Sequence, residues 1–131
     1  CLILADSHTE VLFGVRKLLE PLFEAILMVA DERSLLAALQ KTEPDLIVLD
    51  LSMRVSGGLN VARRIRKSFP ETKFIVLSVH DEPEAANDCL EAGAAAFVLK
   101  RGAVDDLITA VDAVLRGEVY VSPGIYENGS S

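Results

Sequence analysis

The sequence predicts a doubly wound α/β domain with a five-stranded parallel sheet, and three observations support this fold class. Five short apolar runs recur at intervals of roughly twenty to twenty-five residues, each followed by a segment with helical periodicity. Several of these runs are apolar at every position, which is typical of parallel strands that helices cover on both faces. The chain has 131 residues, 50% of them hydrophobic, and this size suits one compact domain.

The apolar runs are the predicted strands. By this criterion, the second and fifth runs are the weakest of the five strand predictions. In chain order, the predicted strands cover residues 1–5, 25–29, 46–49, 74–77 and 95–99.

Helical segments fill the intervals between the strands. Apolar residues three and four positions apart mark the first, third and fifth helices, because this spacing places them on one helical face. The second and fourth helices are predicted at residues 31–39 and 83–90. The apolar stripes are Val11, Leu12, Val15, Leu18 and Leu19 in the first helix, Leu59, Ala62, Ile65 and Phe69 in the third, and Leu107, Ile108, Val111, Val114 and Leu115 in the fifth.

Several residues predict where helices begin and end. Asp81, followed three residues later by Glu84, resembles a capping box, and Pro83 suits the first turn of the helix that follows. Gly93 and Gly117 predict helix ends, because glycine readily adopts the left-handed conformation that often closes a helix.

Composition and charge argue against several functions. The net charge of −7 opposes binding to the nucleic-acid backbone, and the apolar runs are too short to cross a bilayer. Cys1 and Cys89 lack metal-ligand spacing, and no signal peptide precedes the first strand, so we expect a cytoplasmic protein.

From position 122 the chain turns polar and rich in Gly and Ser, which predicts a domain at residues 1–121 and a linker or tail at 122–131.

Polar residues follow four of the apolar runs. Asp6 ends the first run, Asp50 the third, Ser78 the fourth and Lys100 the fifth. In an open parallel sheet, ligands bind beyond the carboxyl ends of the strands, so we expect these side chains to share one edge. Two carboxylates, a hydroxyl and an ammonium suit phosphoryl transfer, which needs a nucleophile, a metal ligand and groups that bind phosphoryl oxygens.

Simpler interpretations of these four residues stay open at this point. Asp6 can cap the first helix, and Ser78 can bind a backbone amide at the end of its strand. Asp50 can be an ordinary aspartate after a strand, and Lys100 an ordinary exposed lysine. Phe97 is most simply a core aromatic residue.

Two other kinds of site are weaker alternatives. His8 and His80 could join the two aspartates in a transition-metal site, but their spacing matches no zinc motif. A hydrolase built from Ser78, His80 and Asp81 lacks the G-x-S-x-G elbow. A flavodoxin-like cofactor binder would need a Gly-rich phosphate loop, which the sequence does not contain.

The sequence resembles the receiver domains of response regulators from Leu2 to about Ser122. The matching segments are LILADSH, PDLIVLDLSM with a glycine eight residues after its last Asp, FIVLSVHDE and AGAAAFVLK, and their order and spacing together are specific. The segments VLSVHDEP and RGEVYVSP are similar to receivers that precede a LuxR-type helix-turn-helix DNA-binding domain. The resemblance implies a flavodoxin-like (βα)5 fold with strand order 2-1-3-4-5.

The resemblance also implies roles for the residues at the strand ends. Asp50 would be the phosphoacceptor, its carboxylate attacking the phosphoryl group of a histidine kinase's phosphohistidine. Lys100 would pair with one phosphoryl oxygen, and Ser78 would move to bind another. Phe97, in the place of the family's switch aromatic residue, would then swing inward into the vacated space.

The implied metal site departs from the family pattern. Asp6, Asp50 and the backbone carbonyl of Ser52 would hold Mg²⁺, but Ser7 stands where the family usually has a second acid. A neutral hydroxyl binds this cation less well, so Ser7 would contribute weakly or through a water molecule. Arg54 replaces a usual proline, and its cation could interact with Asp50 or with the phosphoryl group.

The predicted function is that of a signalling switch and not of an enzyme that turns over a substrate. It would accept a phosphoryl group, form a homodimer on activation and control a DNA-binding domain, without itself touching nucleic acid or membrane. The alternative is a pseudo-receiver, a phosphorylation-independent interaction or dimerisation module. Phosphorylation requires that Asp50 lie near Asp6 and Lys100 and be open to solvent.

Overall fold

In the computed structural model, which describes residues 1–5, 9–50, 58–78, 83–100 and 103–122, strands and helices alternate along the chain as the sequence predicts. The strands are β1 Leu2–Ala5, β2 Ile26–Val29, β3 Leu46–Asp50, β4 Phe74–Ser78, β5 Ala96–Leu99 and β6 Tyr120–Val121. The helices are α1 Thr9–Leu19, α2 Glu32–Lys41, α3 Gly58–Ser68, α4 Pro83–Glu91 and α5 Ala103–Leu115, and a short 3-10 helix, Glu20–Leu22, follows α1.

The strands described form one parallel sheet in the order β2-β1-β3-β4-β5-β6. The α/β fold class and the order 2-1-3-4-5 are confirmed, and the strand number is corrected from five to six. Tyr120 and Val121 form a strand of two residues, which is too short to produce a recognisable periodicity. Backbone hydrogen bonds attach this segment to β5: the amide of Tyr120 donates to the carbonyl of Ala95 at 3.1 Å, and that of Ser122 to Phe97 at 2.9 Å.

The sheet separates two apolar cores. Helices α1 and α5 pack on one face, and α2, α3 and α4 pack on the other. Along β3, Leu46 and Val48 face the first core, while Ile47 and Leu49 face the second. Because both faces are covered, every residue of β3 is buried, which explains why this run is apolar without alternation.

The second and fifth predicted strands are both present in the sheet, in different surroundings. β2 lies at the edge of the sheet, and Leu27 remains 40% exposed there. β5, by contrast, is buried at all four positions, since β4 and β6 flank it and α5 packs on it.

The helix ends follow the predicted local chemistry. The amide of Ser34 donates to Oδ1 of Asp31 at 2.8 Å, capping α2, and this bond lowers the pKa of the Asp31 carboxyl. Gly93 and Gly117 have φ angles of +110° and +87°, which confirms their predicted role at helix ends. Pro83 is the first residue of α4. Asp81, the other half of the predicted capping box, lies outside the described residues.

The folded part of the chain includes Ser122. This residue, which the sequence analysis placed first in the tail, is fully buried, so the tail can begin only after it. Among the described residues, no helix combines the length and the apolar character needed to span a membrane.

Candidate functional site

The carboxyl ends of the central strands bring polar residues to one edge of the sheet. Asp50 ends β3, Ser78 ends β4, and Lys100 directly follows β5. The backbone register keeps these ends level, since Asp50 pairs with Leu77 and Ser78 with Leu99. Three of the four predicted polar residues therefore lie on neighbouring strands, as the strand-end pattern indicated.

Lys100 reaches Asp50 across the end of β4. Its Nζ lies 3.0 Å from Oδ1 of Asp50, at the distance of a charge-assisted hydrogen bond. Both groups are shielded from water, because the side chain of Lys100 is 15% exposed and that of Asp50 is 1% exposed. An ammonium held at this distance compensates the charge of the buried carboxylate. It also lies where it could bind an oxygen of a group attached to Asp50.

Asp50 is less accessible than expected. We predicted a carboxylate open to solvent, and in this structure that expectation is wrong, because Asp50 is 1% exposed. The residue belongs to the central strand β3, whose two faces are both covered by helices. A phosphoryl donor could therefore reach the carboxylate only after the groups that cover it have moved.

Ser78 lies on the strand between the two charged residues. It is the last residue of β4 and is 1% exposed. Its place at the strand end brings Ser78 to the same edge of the sheet as the Asp50 and Lys100 pair, and a hydroxyl can both donate and accept a hydrogen bond. This position is compatible with binding an oxygen at Asp50, although its role as a switch residue stays a prediction.

Phe97 is an interior residue of β5. Its backbone pairs with Val76 on one side and Val121 on the other, and its side chain is fully buried in the core that α2, α3 and α4 cover. The ring already occupies an inward position in this structure. The ring is therefore buried without the predicted inward swing from an exposed position. The switching role of Phe97 stays a prediction.

The remaining predicted site residues cannot be placed. β1 ends at Ala5, which pairs with Leu49, the residue before Asp50, so the described part of β1 leads toward the same edge. The following candidates lie outside the described residues: Asp6, Ser7, His8, Ser52, Arg54, His80 and Asp81.

The described residues alone do not form a metal site. Within the ranges that the structure covers, no group of three His, Cys, Asp or Glu side chains is arranged to hold an ion. Asp50 offers the oxygen ligand that Mg²⁺ prefers, at the edge where ligands bind such sheets. The predicted contributions of Asp6, Ser7 and Ser52 stay predictions.

One polar network at this edge was missed. Oγ of Ser122 accepts from the amide of Leu99 at 3.0 Å and donates to Oδ2 of Asp106 at 3.1 Å. The hydroxyl of Tyr120 donates to the other oxygen of Asp106 at 3.4 Å, and burial and this carboxylate raise the pKa of Tyr120. The sequence carries little signal for this network, because the strand before Ser122 has only two residues. The Gly and Ser residues further along led to its assignment to the tail.

A second missed contact joins two helices. Glu32 at the start of α2 is 7% exposed and forms an ion pair with Arg64 of α3. Both residues occupy ordinary positions on amphipathic helices, and no spacing in the sequence connects them. Only the packing of α2 beside α3 brings the two charges together.

A large groove lies away from the strand ends that carry Asp50 and Lys100. It has a volume of about 880 Å³ and is lined by residues 39–44 and 69–72, which precede β3 and β4. These segments lie at the amino edge of the sheet. The groove is therefore not the site predicted from the strand ends, despite its size.

The chain matches the response regulator receiver domain family over residues 2–112. It is 31% identical over 129 residues to the transcriptional regulatory protein DegU of Brevibacillus brevis, covering 97% of this chain and 55% of that protein. It is 34% identical over 123 residues to the oxygen regulatory protein NreC of a Staphylococcus epidermidis strain, covering 92% of this chain and 56% of the relative. The chain thus spans about half the length of these curated relatives.

A solved structure is similar over nearly all of this chain. The isolated receiver domain of RcsB from Salmonella enterica serovar Typhimurium, in the presence of phosphomimetic BeF3−, superposes with a TM-score of 0.88 at 30% identity. The match covers 98% of this chain and 96% of that one.

Proposed function

This chain belongs to the response regulator receiver domain family. From that premise we propose that Asp50 is the residue that accepts the phosphoryl group. A receiver domain of a two-component response regulator is a signalling switch. The observation that supports Asp50 as the phosphoacceptor is its ion pair with Lys100. Among the described residues, this pair unites a buried carboxylate and an ammonium at the carboxyl edge of the sheet.

In the proposed reaction, an oxygen of Asp50 attacks the phosphorus of the donor. The new oxygen–phosphorus bond forms as the bond from phosphorus to the donor nitrogen of a kinase phosphohistidine breaks, leaving an acyl phosphate on Asp50. Lys100, 3.0 Å from Asp50, shifts its hydrogen bond to a phosphoryl oxygen. Ser78, at the end of the intervening strand, donates its hydroxyl to another.

The low exposure of Asp50 adds a step to this reaction. Because the residue is 1% exposed, the donor enters only when the groups covering the carboxylate open. Once the donor has entered, exclusion of water strengthens the contact of Lys100 with the developing charge. The closed state would then protect the acyl phosphate from hydrolysis.

A divalent cation completes the proposed site. Bound Mg²⁺ would neutralise charge on the transferred phosphoryl group. Asp50 would be one oxygen ligand for it, and Asp6, the Ser52 carbonyl and Ser7, directly or through a water molecule, would be the others. Because Ser7 is not an acid, we propose that the ion binds weakly.

The output of the switch is proposed from the relatives. DegU and NreC are named as regulatory proteins and are about twice as long as the matched segment, so the signal would pass to a further, DNA-binding domain. A histidine kinase would supply the phosphoryl group, and activation would favour a homodimer in the cytoplasm. Phe97 is the proposed aromatic partner of Ser78 in switching, through the β4 and β5 pairing beneath the site.

Acetyl phosphate with Mg²⁺ tests the proposal directly. The wild-type chain should gain the mass of one phosphoryl group, and Asp50→Asn should gain none. Lys100→Met should slow the gain by about a hundredfold, since it removes a donor to the developing charge. Lys73→Met is the matched control, because Lys73 binds the carbonyl of Val114 at 3.1 Å and lies before β4, away from the site.

Two results would contradict the proposal. Mass gain that persists in Asp50→Asn would place the acceptor elsewhere, and no gain at high Mg²⁺ would favour the pseudo-receiver alternative. Ser7→Asp tests the metal site separately: restoring the acid should tighten Mg²⁺ binding, measured by titration of the chain with the ion. Unchanged affinity would mean that position 7 does not contact the ion.

A further inference from the structure

The hydroxyl of Ser122 joins three parts of the domain at one buried point. It accepts a hydrogen bond from the amide of Leu99 at the end of β5 and donates one to Asp106 in α5. The backbone amide of Ser122 also donates to the carbonyl of Phe97 at 2.9 Å. We refer to the contacts of the Ser122 hydroxyl with Leu99 and Asp106 as the Ser122 bridge.

The Ser122 bridge lies next to the proposed phosphoryl site. Leu99 directly precedes Lys100, whose Nζ is 3.0 Å from Asp50, and the backbone of Leu99 pairs with Ser78. The end of β5 is thus held on one side by β4 and on the other by the Ser122 hydroxyl. β6 ends at Val121, and the last backbone amide of β5 donates to the side-chain oxygen of Ser122 and not to a backbone carbonyl of β6.

The bridge also lies at the last residue that the structure describes. β6 ends at Val121, Ser122 is fully buried, and residues 123–131 follow. A movement of the β5 end would consequently change the contacts of Ser122, the residue to which the following part of the chain is bonded. The Asp106 contact ties the same point to α5, one of the two helices on that face.

We propose that the Ser122 bridge positions Lys100 for the phosphoryl group and, in return, reports occupancy of the Asp50 site to the chain that follows β6. This inference rests on the proposed function of Asp50. Ser122 is a positioning residue, since its hydroxyl acts through the amide of Leu99, the residue before Lys100. Coupling of this kind is reciprocal: if the bridge favours the position of Lys100 that binds a phosphoryl group, an occupied site strengthens the bridge by the same factor.

Hydrogen exchange on the wild-type chain tests the reciprocal half without any variant. Beryllofluoride with Mg²⁺ serves as the phosphoryl probe, and exchange of the Leu99 and Ser122 amides is followed by NMR. The expected result is slower exchange at both amides once the probe binds. The amide of Leu27 in the opposite edge strand β2 should change little. Unchanged exchange at Leu99 and Ser122 with the probe bound would overturn the inference.

A variant series tests the positioning half. Ser122→Ala should weaken beryllofluoride affinity by about threefold to tenfold, the size expected for one lost hydrogen bond, and Ser122→Thr should restore it by keeping the hydroxyl. Tyr120→Phe is the matched control: it removes the neighbouring donor to Asp106, 3.4 Å away, but leaves the Leu99 contact in place. Its affinity should equal that of the wild type.

The outcomes separate this inference from the proposed function. If the wild type binds no beryllofluoride, or if Asp50→Asn binds it with the same affinity as the wild type, the proposed role of Asp50 fails. If binding depends on Asp50 but Ser122→Ala matches the wild type, only the Ser122 bridge fails. A loss of affinity in Ser122→Ala that Ser122→Thr does not restore would also count against the hydroxyl, since packing and not hydrogen bonding would then explain it.

Discussion

At the scale of single residues, the ion pair between Asp50 and Lys100 is a strong electrostatic interaction of the described site. A carboxylate that is 1% exposed depends on its partners, because few water molecules can solvate it. The ammonium of Lys100, 3.0 Å away, is one such partner. The same pair that would bind a phosphoryl group therefore also contributes to the stability of the resting domain.

The prediction is that Lys100→Met lowers the free energy of unfolding by about 1–3 kcal/mol, since it leaves a buried carboxylate with one partner fewer. In an Asp50→Asn background, the same substitution should cost clearly less, because no charge then remains to be compensated. Urea unfolding of the wild type, the two single variants and the double variant gives the coupling energy. Equal costs of Lys100→Met in both backgrounds would mean that the pair does not interact energetically.

Glycine is needed at Gly93 for two reasons. Its φ of +110° is unfavourable for other residues, and an added Cβ would lie 2.8 Å from the side chain of Arg66. Gly117 shares the positive φ, at +87°, but has open space where a Cβ would be. Gly14 lies within α1, also with space around it, and has no positive φ.

These three positions make a graded prediction for substitution by alanine. Gly93→Ala should destabilise the domain by about 1–3 kcal/mol, and Gly117→Ala by less, because it lacks the contact. Gly14→Ala should stabilise it by about 0.5–1 kcal/mol, since alanine is a better helix former. Thermal and urea unfolding of the three variants measure the order, and a neutral Gly93→Ala would contradict the geometry described for that turn.

At the scale of secondary-structure elements, α4 contributes a buried thiol to the core. Cys89 is 1% exposed among apolar residues of β4, β5 and α3, and burial raises its pKa from 9.0 to about 11, with a smaller contribution from the charge of Asp88. The thiol therefore stays protonated in the folded chain at pH values where it ionises in the unfolded chain.

This shift predicts a loss of stability at alkaline pH. Below pH 9.0 both states hold the proton, so Cys89 adds no pH dependence; between pH 9.0 and about 11 only the unfolded state loses it, and the free energy of unfolding falls. Cys89→Ala should remove this part of the decrease while leaving the contributions of Lys and Tyr residues. The measurement is urea unfolding of both proteins across this pH range. Parallel curves would show that burial of the thiol has no such effect.

At the scale of the whole molecule, the central strands belong to both cores at once. Leu46 and Leu49 of β3 are both fully buried, yet they point to opposite faces, toward α1 and α5 and toward α2, α3 and α4 respectively. A defect on either face therefore weakens the same strand. This arrangement predicts that the domain unfolds as one cooperative unit.

Leu46→Ala and Leu49→Ala form the matched test of that cooperativity. Each should lower the free energy of unfolding by about 2–5 kcal/mol and shift one common transition, because each leaves a cavity against the shared strand. Far-ultraviolet circular dichroism and tyrosine fluorescence, recorded together during urea unfolding, should give coincident curves. A second transition in one variant would mean that its face of the sheet unfolds separately.

Local sequence patterns carry most of the fold. Uninterrupted apolar runs such as residues 46–49 indicate strands covered on both faces, helical spacing indicates the helices, and Gly93 and Gly117 indicate where two of them end. Each of these features depends on residues only a few positions apart. The strand-end pattern also identified Asp50, Ser78 and Lys100 as neighbours, because parallel strands bring their carboxyl ends to one edge.

Tertiary packing alone sets the distances and the burial. Two ion pairs join residues that are far apart in the chain: Lys100 with Asp50 at 3.0 Å, and Arg64 with Glu32. The near-complete burial of Asp50 likewise depends on groups from distant parts of the chain. No local period encodes such contacts, since they depend on how helices and strands pack. The attachment of Ser122 to β5 is another contact of this kind, because the two-residue strand β6 is held in place by its pairing with β5.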